Sequence, residues 1–277
     1  MLFFAGAFSQ EKQIQGVVVD SKTSHPLPFV NISKSVGQQG TASDELGKFS
    51  ITVDINDSLF FSAVGYKRKY FAVSQIKNIK GVIKLDEDIQ LLSELSVTSN
   101  RKVNYESHVI GYHKSKIRSS LTMRTSGSQI AVFLENKFRK EGVFETLYLR
   151  LRSTGSFKFQ IRVFEKNSNG LPGRDLLREN LILESKRING IFSINLASKN
   201  IIFPSTGAFI CLQTMESQDR KTTDDGSKPL IENSTFLSKD DDESSTYNGF
   251  RDRYWVKNRP LNSNVMFGAK IRFYELD

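Results

Sequence analysis

Between Gln13 and Arg101 the chain consists of short apolar runs separated by turn-forming residues. Residues 14–20 and 29–32 are two such runs, and a turn containing two prolines lies between them. Runs of this length predict short strands, because β-branched and aromatic residues favour strands and Gly, Pro, Asn and Asp favour turns. About seven strands in a stretch of this length predict a β-sandwich.

The residues around Phe49 repeat with a period of two. Phe49, Ile51 and Val53 are apolar and the residues between them are polar. Side chains alternate between the two faces of a strand, so this strand has one face in a core and one face in water. Two later runs, residues 82–85 and 95–97, are predicted to be the last two strands of the sandwich.

Several segments of this stretch resemble, in order and spacing, the carboxypeptidase-like regulatory domain, a transthyretin-like module. They are residues 16–20, 27–32, 40–41 with Asp44 and 47–49, 59–66, and 92–97. The module follows the catalytic domain of metallocarboxypeptidases and stands at the front of Bacteroidota outer-membrane proteins, including TonB-dependent receptors. The resemblance covers residues 13–99. It implies a noncatalytic, seven-stranded transthyretin-like or Ig-like β-sandwich attached to a cell-envelope protein, and it assigns no site residue.

The N-terminus indicates export. Residues 1–9 are mostly apolar, and Ala7, Phe8 and Ser9 resemble the small-x-small site of signal peptidase. We therefore interpret residues 1–9 as the remnant of a signal peptide, with Gln10 as the first mature residue. The alternative is a buried first strand. Export places the protein in the periplasm or at the cell surface, associated with the outer membrane.

No later segment approaches the ~20 consecutive apolar residues of a membrane-spanning helix. The sequence therefore predicts no transmembrane segment of its own. Cys211 is the only cysteine, which excludes an intramolecular disulfide, and it does not lie where a lipoprotein anchor would.

Residues 100–120 are polar and basic, and they are predicted to be a linker or a crossover with few strands. His108 and His113 lie in this segment. A metal site would need two more ligands that the neighbourhood does not supply, so we interpret both as surface or packing residues.

Residues 121–277 repeat the strand pattern with longer strands. Leu147, Leu149 and Leu151 alternate with Tyr148, Arg150 and Arg152, and Phe159, Ile161 and Val163 alternate with Lys158, Gln160 and Arg162. The pattern predicts a second antiparallel sandwich, which we expect to be jelly-roll-like. Residues 169–177 also resemble a strand and turn of jelly-roll domains of unassigned role that follow this regulatory domain in Bacteroidota proteins.

Positive charge is concentrated in the middle of the chain. Residues 101–187 hold 18 Lys and Arg against 8 Asp and Glu, whereas the whole chain has a net charge of +9. The basic sides of two strands predict a binding face formed by Arg150, Arg152, Lys158 and Arg162. Its partner would be an acidic protein or an envelope anion such as lipopolysaccharide. Nucleic acid is not expected, since no motif for it is present. The alternative is that these cations only keep one face soluble.

A second candidate site is aromatic. Tyr254 and Trp255 follow Arg253, and exposed aromatic rings beside arginine can stack on sugars and bond their hydroxyls. The alternative is that Trp255 fills a core. Residues 240–243 carry four carboxylates but lack the ligand spacing and the glycine of a calcium loop, so we interpret them as a solvated loop.

No motif of an enzyme is present. The chain contains no G-x-S-x-G, no H-E-x-x-H and no phosphate-binding glycine loop, and none of its three histidines begins the H-x-x-E motif of a metallocarboxypeptidase. We predict no catalytic residue, no metal and no cofactor. A glycosidase's pair of carboxylates leaves no local spacing, and it stays open at this point.

The sequence as a whole predicts an all-β, two-domain, noncatalytic interaction or assembly module of the envelope. We expect it to be an accessory subunit of an outer-membrane protein complex, whose partner is an outer-membrane β-barrel or another envelope protein. The alternative function is a carbohydrate-binding module at the cell envelope.

Overall fold

The computed structural model describes residues 11–35, 39–78, 81–88, 104–123, 125–215, 233–239, 244–258 and 263–275. The chain divides into two compact units: unit 1 consists of residues 1–90 together with Arg251–Arg253, and unit 2 consists of the rest. The proposed signal peptide (residues 1–9), the predicted strand at 95–97 and the acidic run at 240–243 lie outside the described residues.

The described part of unit 1 contains seven strands and one short helix. They are β1 (Glu11–Asp20), β2 (Asn31–Lys34), β3 (Gly40–Ala42), β4 (Lys48–Asp54), β5 (Ser58–Ser62), β6 (Lys69–Ala72), α1 (Val73–Asn78) and β7 (Val82–Leu85). The strands form a three-stranded sheet in the order β4-β1-β7 and a four-stranded sheet in the order β3-β2-β5-β6.

An apolar core joins the two sheets of unit 1. Phe49, Ile51 and Val53 of β4 are buried while the residues between them are exposed or half-buried, which confirms the predicted alternation. The ring of Phe49 meets that of Phe61 on β5 edge to face, with centroids 5.7 Å apart. Since β4 and β5 belong to different sheets, unit 1 is a β-sandwich, as predicted.

Unit 1 also includes a segment from late in the chain, Arg251–Arg253. Arg251 and Asp252 have positive φ angles of 46° and 60° and are almost fully buried. The Asp252 carboxylate accepts hydrogen bonds from Asn31 Nδ2 at 3.1 Å and Ser62 Oγ at 2.9 Å. Gly40 leaves room for the Arg251 side chain, because a Cβ at position 40 would lie 2.7 Å from Arg251 Cδ.

Unit 2 is built from longer strands, many of which match the predicted runs. Within the described residues they are β8 (Tyr105–Gly111), β9 (Ile117–Thr122), β10 (Ser128–Leu134), β11 (Gly142–Ser153), β12 (Phe157–Lys166), β13 (Pro172–Asp175), β14 (Leu181–Ser185), β15 (Ile188–Asn195), β16 (Ile202–Phe203), β17 (Ala208–Thr214), β18 (Asn233–Ser238), β19 (Thr246–Phe250), β20 (Tyr254–Lys257) and β21 (Phe267–Tyr274), and a 3-10 turn lies at Ala197–Lys199.

These strands form two sheets, which we call sheet A and sheet B. Sheet A follows the order β8-β21-β11-β18-β9, with β15 and β16 also paired to β11. Sheet B follows the order β13-β12-β17-β10-β19-β20, with β14 also paired to β12. Phe159 of sheet B meets Phe192 of sheet A edge to face, with centroids 5.7 Å apart. Unit 2 is therefore a second all-β sandwich, while its jelly-roll character stays a prediction.

The linker prediction for residues 100–120 is wrong where the structure describes that segment. Residues 105–111 and 117–122 are strands β8 and β9 of sheet A, and residues 100–103 lie outside the described part. Both strands stand at the ends of the sheet order, and most of their residues are exposed or half-buried. An edge strand that buries little apolar surface gives only a weak alternating pattern, so the sequence reads as a linker.

The Asp252 contact predicts a loss of stability on substitution. Replacing Asp252 with Ala removes the acceptor that Asn31 and Ser62 share, and we expect the free energy of unfolding to fall by about 1–3 kcal/mol. Asp252→Asn keeps one acceptor oxygen and tolerates the positive φ, so its loss should be smaller. Denaturant unfolding of the two variants measures both losses. Wild-type stability of Asp252→Ala would show that the contact contributes nothing.

Candidate binding face

Strand β11 separates an apolar face from a polar one. Its buried leucines are Leu147, Leu149 and Leu151. Because successive side chains of a strand point to opposite sides, Tyr148, Arg150 and Arg152 lie on the outer face of sheet A, away from the core. The predicted alternation of this strand is therefore confirmed.

The neighbouring strand β21 adds two cations to the same face. Gly268 pairs directly with Tyr148, and directly paired residues share a face, so Lys270 and Arg272 also lie on the outer side. The residues that alternate with these cations along β21 are fully buried; they are Ala269, Ile271 and Phe273. We call Arg150, Arg152, Lys270 and Arg272 the basic face.

A β-bulge in β11 places a carboxylate among these cations. The pairing of β11 with β21 shifts between Phe144 and Thr146, so Glu145 is the extra residue. Glu145 accepts hydrogen bonds from Arg272 Nε at 2.8 Å, Lys270 Nζ at 3.0 Å and Ser107 Oγ at 2.9 Å, and also from Arg272 Nη2. The carboxylate thus binds both cations that β21 supplies.

The ionisation of Glu145 follows from two opposing effects. Burial of the carboxyl alone would raise its pKa, because it penalises the charged form. The hydrogen bonds from Lys270, Ser107 and Arg272, together with the charge of Arg272, outweigh burial and lower the pKa of Glu145 below its ordinary value. Glu145 is therefore charged at neutral pH.

Arg150 and Arg152 are the two cations of the basic face that Glu145 does not bind. Neither has a carboxylate partner within the described part of the chain. The guanidinium carbon of Arg150 lies 5.9 Å from the centre of the Phe236 ring, and Arg152 is exposed. A guanidinium presents its N–H groups in a fixed fork that fits a carboxylate or phosphate, so these two side chains are available for an anionic group.

Lys158 and Arg162 lie elsewhere. Both belong to β12 in sheet B, whose Phe159 faces sheet A, so their side chains point away from the core in the opposite direction to Arg150 and Arg152. Arg162 is only 2% exposed and forms a buried ion pair with Asp175. The four predicted arginine and lysine residues therefore do not form one surface, because β11 and β12 belong to different sheets.

The aromatic candidates do not form one surface either. Trp255 of β20 is half-buried, lies against Gly249 and meets Phe164 edge to face with centroids 5.8 Å apart. Tyr254 precedes it in the strand and so points to the other side of sheet B. Arg253 belongs to unit 1. Trp255 thus packs on an apolar cluster, which agrees with the alternative that it fills a core rather than stacks on a sugar.

Lys270 and Arg272 of the basic face, and the Glu145 carboxylate that binds them, were not predicted from the sequence. The signal for the two cations was present, since they alternate with the apolar residues of β21. No local signal marks Glu145, because the bulge depends on the pairing of β11 with β21. The sequence also shows no sign of a buried polar pair on sheet B. Gln129 Nε2 donates a hydrogen bond to Gln213 Oε1 at 2.8 Å, and both residues are buried.

The described residues contain no group of three or more His, Cys, Asp or Glu side chains placed to hold a metal ion. His108 contacts Glu106 at 3.0 Å and packs against Phe138 with the two ring planes tilted, whereas His113 stacks on Tyr148. None of the helices in the described part has the length and apolar character needed to cross a membrane.

Residues 14–97 match the family model of the CarboxypepD_reg-like domain. The match confirms the regulatory domain predicted for this stretch, which is a noncatalytic module. No curated protein matches the chain. The family match ends before the basic face begins, so it assigns no role to unit 2.

The Glu145 cluster predicts a pH-dependent loss of stability. Glu145→Gln removes the charge that binds Lys270 and Arg272, and we expect the free energy of unfolding to fall by about 1–3 kcal/mol at pH 7. Because the pKa of Glu145 is lower in the folded than in the unfolded protein, its contribution is present above the unfolded pKa and is lost as the pH falls through the folded pKa. The difference between wild type and variant should therefore shrink from pH 7 to pH 3.

Denaturant unfolding at several pH values measures this difference. Glu141 is exposed and directly precedes β11, so Glu141→Gln is the control variant. We expect it to change the free energy of unfolding little at any pH. A difference that stayed constant from pH 7 to pH 3 would show that the Glu145 charge does not stabilise the fold.

Proposed function

We propose that this protein is a noncatalytic interaction or assembly module of the bacterial envelope, an accessory subunit of an outer-membrane protein complex in the Bacteroidota. The surface that binds the partner is the basic face of unit 2. The observation that carries this proposal is the state of Arg150 and Arg152: they lie side by side on the outer face of sheet A, and neither has a carboxylate partner in the described part of the chain.

A protein partner with acidic side chains fits this surface. Ile191 pairs with Arg150 on the neighbouring strand β15 and is 43% exposed, so an apolar side chain adjoins the free guanidinium groups. Arginine and apolar side chains together are typical of protein interfaces. The positive charge of residues 101–187 would also speed the approach of an acidic partner.

The regulatory domain supports the envelope location. Residues 14–97 match a module family that, by the resemblance described above, stands at the front of outer-membrane proteins. The signal-peptide interpretation of residues 1–9 agrees with this location. In this proposal unit 1 is the attachment domain, and unit 2 supplies the surface that selects the partner.

The carbohydrate-binding alternative has less support. It needs an exposed aromatic platform, whereas Trp255 is half-buried against Gly249 and Phe164, and Tyr254 points to the other side of the strand. We therefore expect Trp255→Ala to lower stability through loss of packing rather than to change affinity for envelope glycans.

Charge reversal tests the proposal. Arg150→Glu with Arg152→Glu replaces two attractive contacts by repulsive ones, and we expect recovery of the partner to fall about tenfold or more, the effect of about 1.4 kcal/mol in binding. The measurement is crosslinking of isolated envelopes, followed by quantitative mass spectrometry of proteins that copurify with each variant.

Lys158→Glu is the matched control, since Lys158 is an exposed cation of the same region of sequence on the other sheet. It should leave recovery of the partner unchanged. Equal recovery with the double variant and the wild type, or recovery of the protein alone and freely soluble in the periplasm, would overturn the proposal.

A further inference from the structure

His113 is a buried histidine on the outer face of sheet A, beside the basic face. It lies in the turn that follows β8, closed by a hydrogen bond from Ser115 N to Tyr112 O at 3.0 Å. Its residue exposure is only 3%. The imidazole stacks on the ring of Tyr148, with centroids 4.6 Å apart and planes 16° apart.

Gly268 provides the space for this ring. A Cβ at position 268 would lie 2.1 Å from His113 Nδ1, so any other residue there would displace the imidazole. Gly268 pairs with Tyr148 of β11 on one side and with Gly111 of β8 on the other. The imidazole thus covers the sheet at the point where three strands run side by side.

The ring nitrogens of His113 have no hydrogen-bond partner among the described residues. A neutral imidazole carries one donor and one acceptor, and burying such groups without partners costs free energy. A phenylalanine would stack on Tyr148 without that cost. The stack alone therefore does not account for a histidine at this position.

The charged groups around His113 are mostly positive. Lys114 follows it in the turn, Arg150 lies two residues beyond Tyr148 on β11, and Lys270 lies two residues beyond Gly268 on β21. The nearby carboxylate, Glu145, already binds Lys270 and Arg272. On β8 the corresponding outer-face residue is the uncharged Val109.

These surroundings disfavour a charged imidazole in the stacked position. Burial, and secondarily the charge of Lys114, lower the pKa of His113 below its ordinary value. Since the folded pKa lies below the unfolded one, the stacked arrangement is fully stable above the unfolded pKa and loses stability as the pH falls below it. Movement of the turn into water would relieve the cost of the charge.

We propose that protonation of His113 releases the turn at residues 112–115 from Tyr148 and adds a third free cation to Arg150 and Arg152, so that binding at the basic face strengthens in acid. This inference rests on the function proposed above, and it states that pH regulates binding at the basic face. The partner chemistry is an acidic protein segment, which the added imidazolium would bind through a charge-assisted hydrogen bond.

The release of the turn can be tested without any partner. The chain has three histidines, so His25→Gln and His108→Gln assign the remaining imidazole signal to His113 in an NMR titration. We expect the pKa of His113 from this titration to lie below its ordinary value, and the Tyr148 ring signals to shift along the same curve. Tyr148 signals that stay constant while His113 titrates would overturn the proposal.

The effect on binding is tested with poly-L-aspartate as the acidic probe. We expect the wild type to bind the probe about tenfold more tightly at pH 5.5 than at pH 7.5, which corresponds to one added charge-assisted hydrogen bond. His113→Phe keeps the stack and removes the titration, so its affinity should be the same at both pH values. His108→Gln should retain the wild-type response.

The outcomes separate the two proposals. A His113→Phe variant with the wild-type pH response would overturn the role of His113 while leaving the basic face intact. An Arg150→Glu, Arg152→Glu variant that binds the probe as tightly as the wild type at pH 7.5 would instead overturn the basic face itself. The NMR titration uses the wild-type ring and so decides the release of the turn even where His113→Phe folds poorly.

Discussion

The alternation of side chains along β11 is the constraint on which the candidate surface depends. Leu147, Leu149 and Leu151 must lie in the core, and this requirement turns Tyr148, Arg150 and Arg152 outward. At the start of the strand two residues, rather than one, separate the inward Phe144 from Leu147. The bulge absorbs the extra residue, and it brings the Glu145 carboxylate against β21.

The distribution of charge on sheet A follows from that bulge. Glu145 binds the two cations of β21, so their charge is compensated within the fold, while the two arginines of β11 keep theirs. Arg162 on sheet B differs from the two arginines of β11, because it is buried and forms an ion pair with Asp175 inside unit 2. Arg162 is therefore not available to bind a ligand, because breaking a buried ion pair leaves one buried charge without its partner and costs free energy. The availability of a cation is thus decided by the sheet and the face on which it lies.

The sequence predicts much of the local structure and little of the pairing. Phe49 to Val53 and Leu147 to Leu151 show their buried faces directly, because period-two patterns report one strand at a time. Whether β11 and β12 share a sheet is decided by partners far along the chain, such as Phe192 and Phe267, and no local pattern contains that information. The predicted surface that joined Arg150 to Arg162 was wrong for this reason.

The same limit accounts for β8 and for Asp252. Strand β8 pairs with β21, which lies more than 150 residues later, and it exposes many of its side chains, so its sequence looks like a linker. Asp252 belongs to unit 1, where Asn31 and Ser62 donate hydrogen bonds to its carboxylate, and it lies about 190 residues or more from either of them in the sequence. The family match at residues 14–97 identifies the regulatory domain correctly and contains no sign of this late segment.

Site-specific photocrosslinking in living cells or intact envelopes tests most directly whether the basic face binds an outer-membrane protein. A photoreactive amino acid is placed at position 152 on the basic face, and in a second sample at position 158 on the opposite side of the sandwich. We expect position 152 to crosslink to an outer-membrane protein and position 158 not to do so. Equal crosslinking from both positions, or crosslinking from position 158 alone, would contradict this expectation.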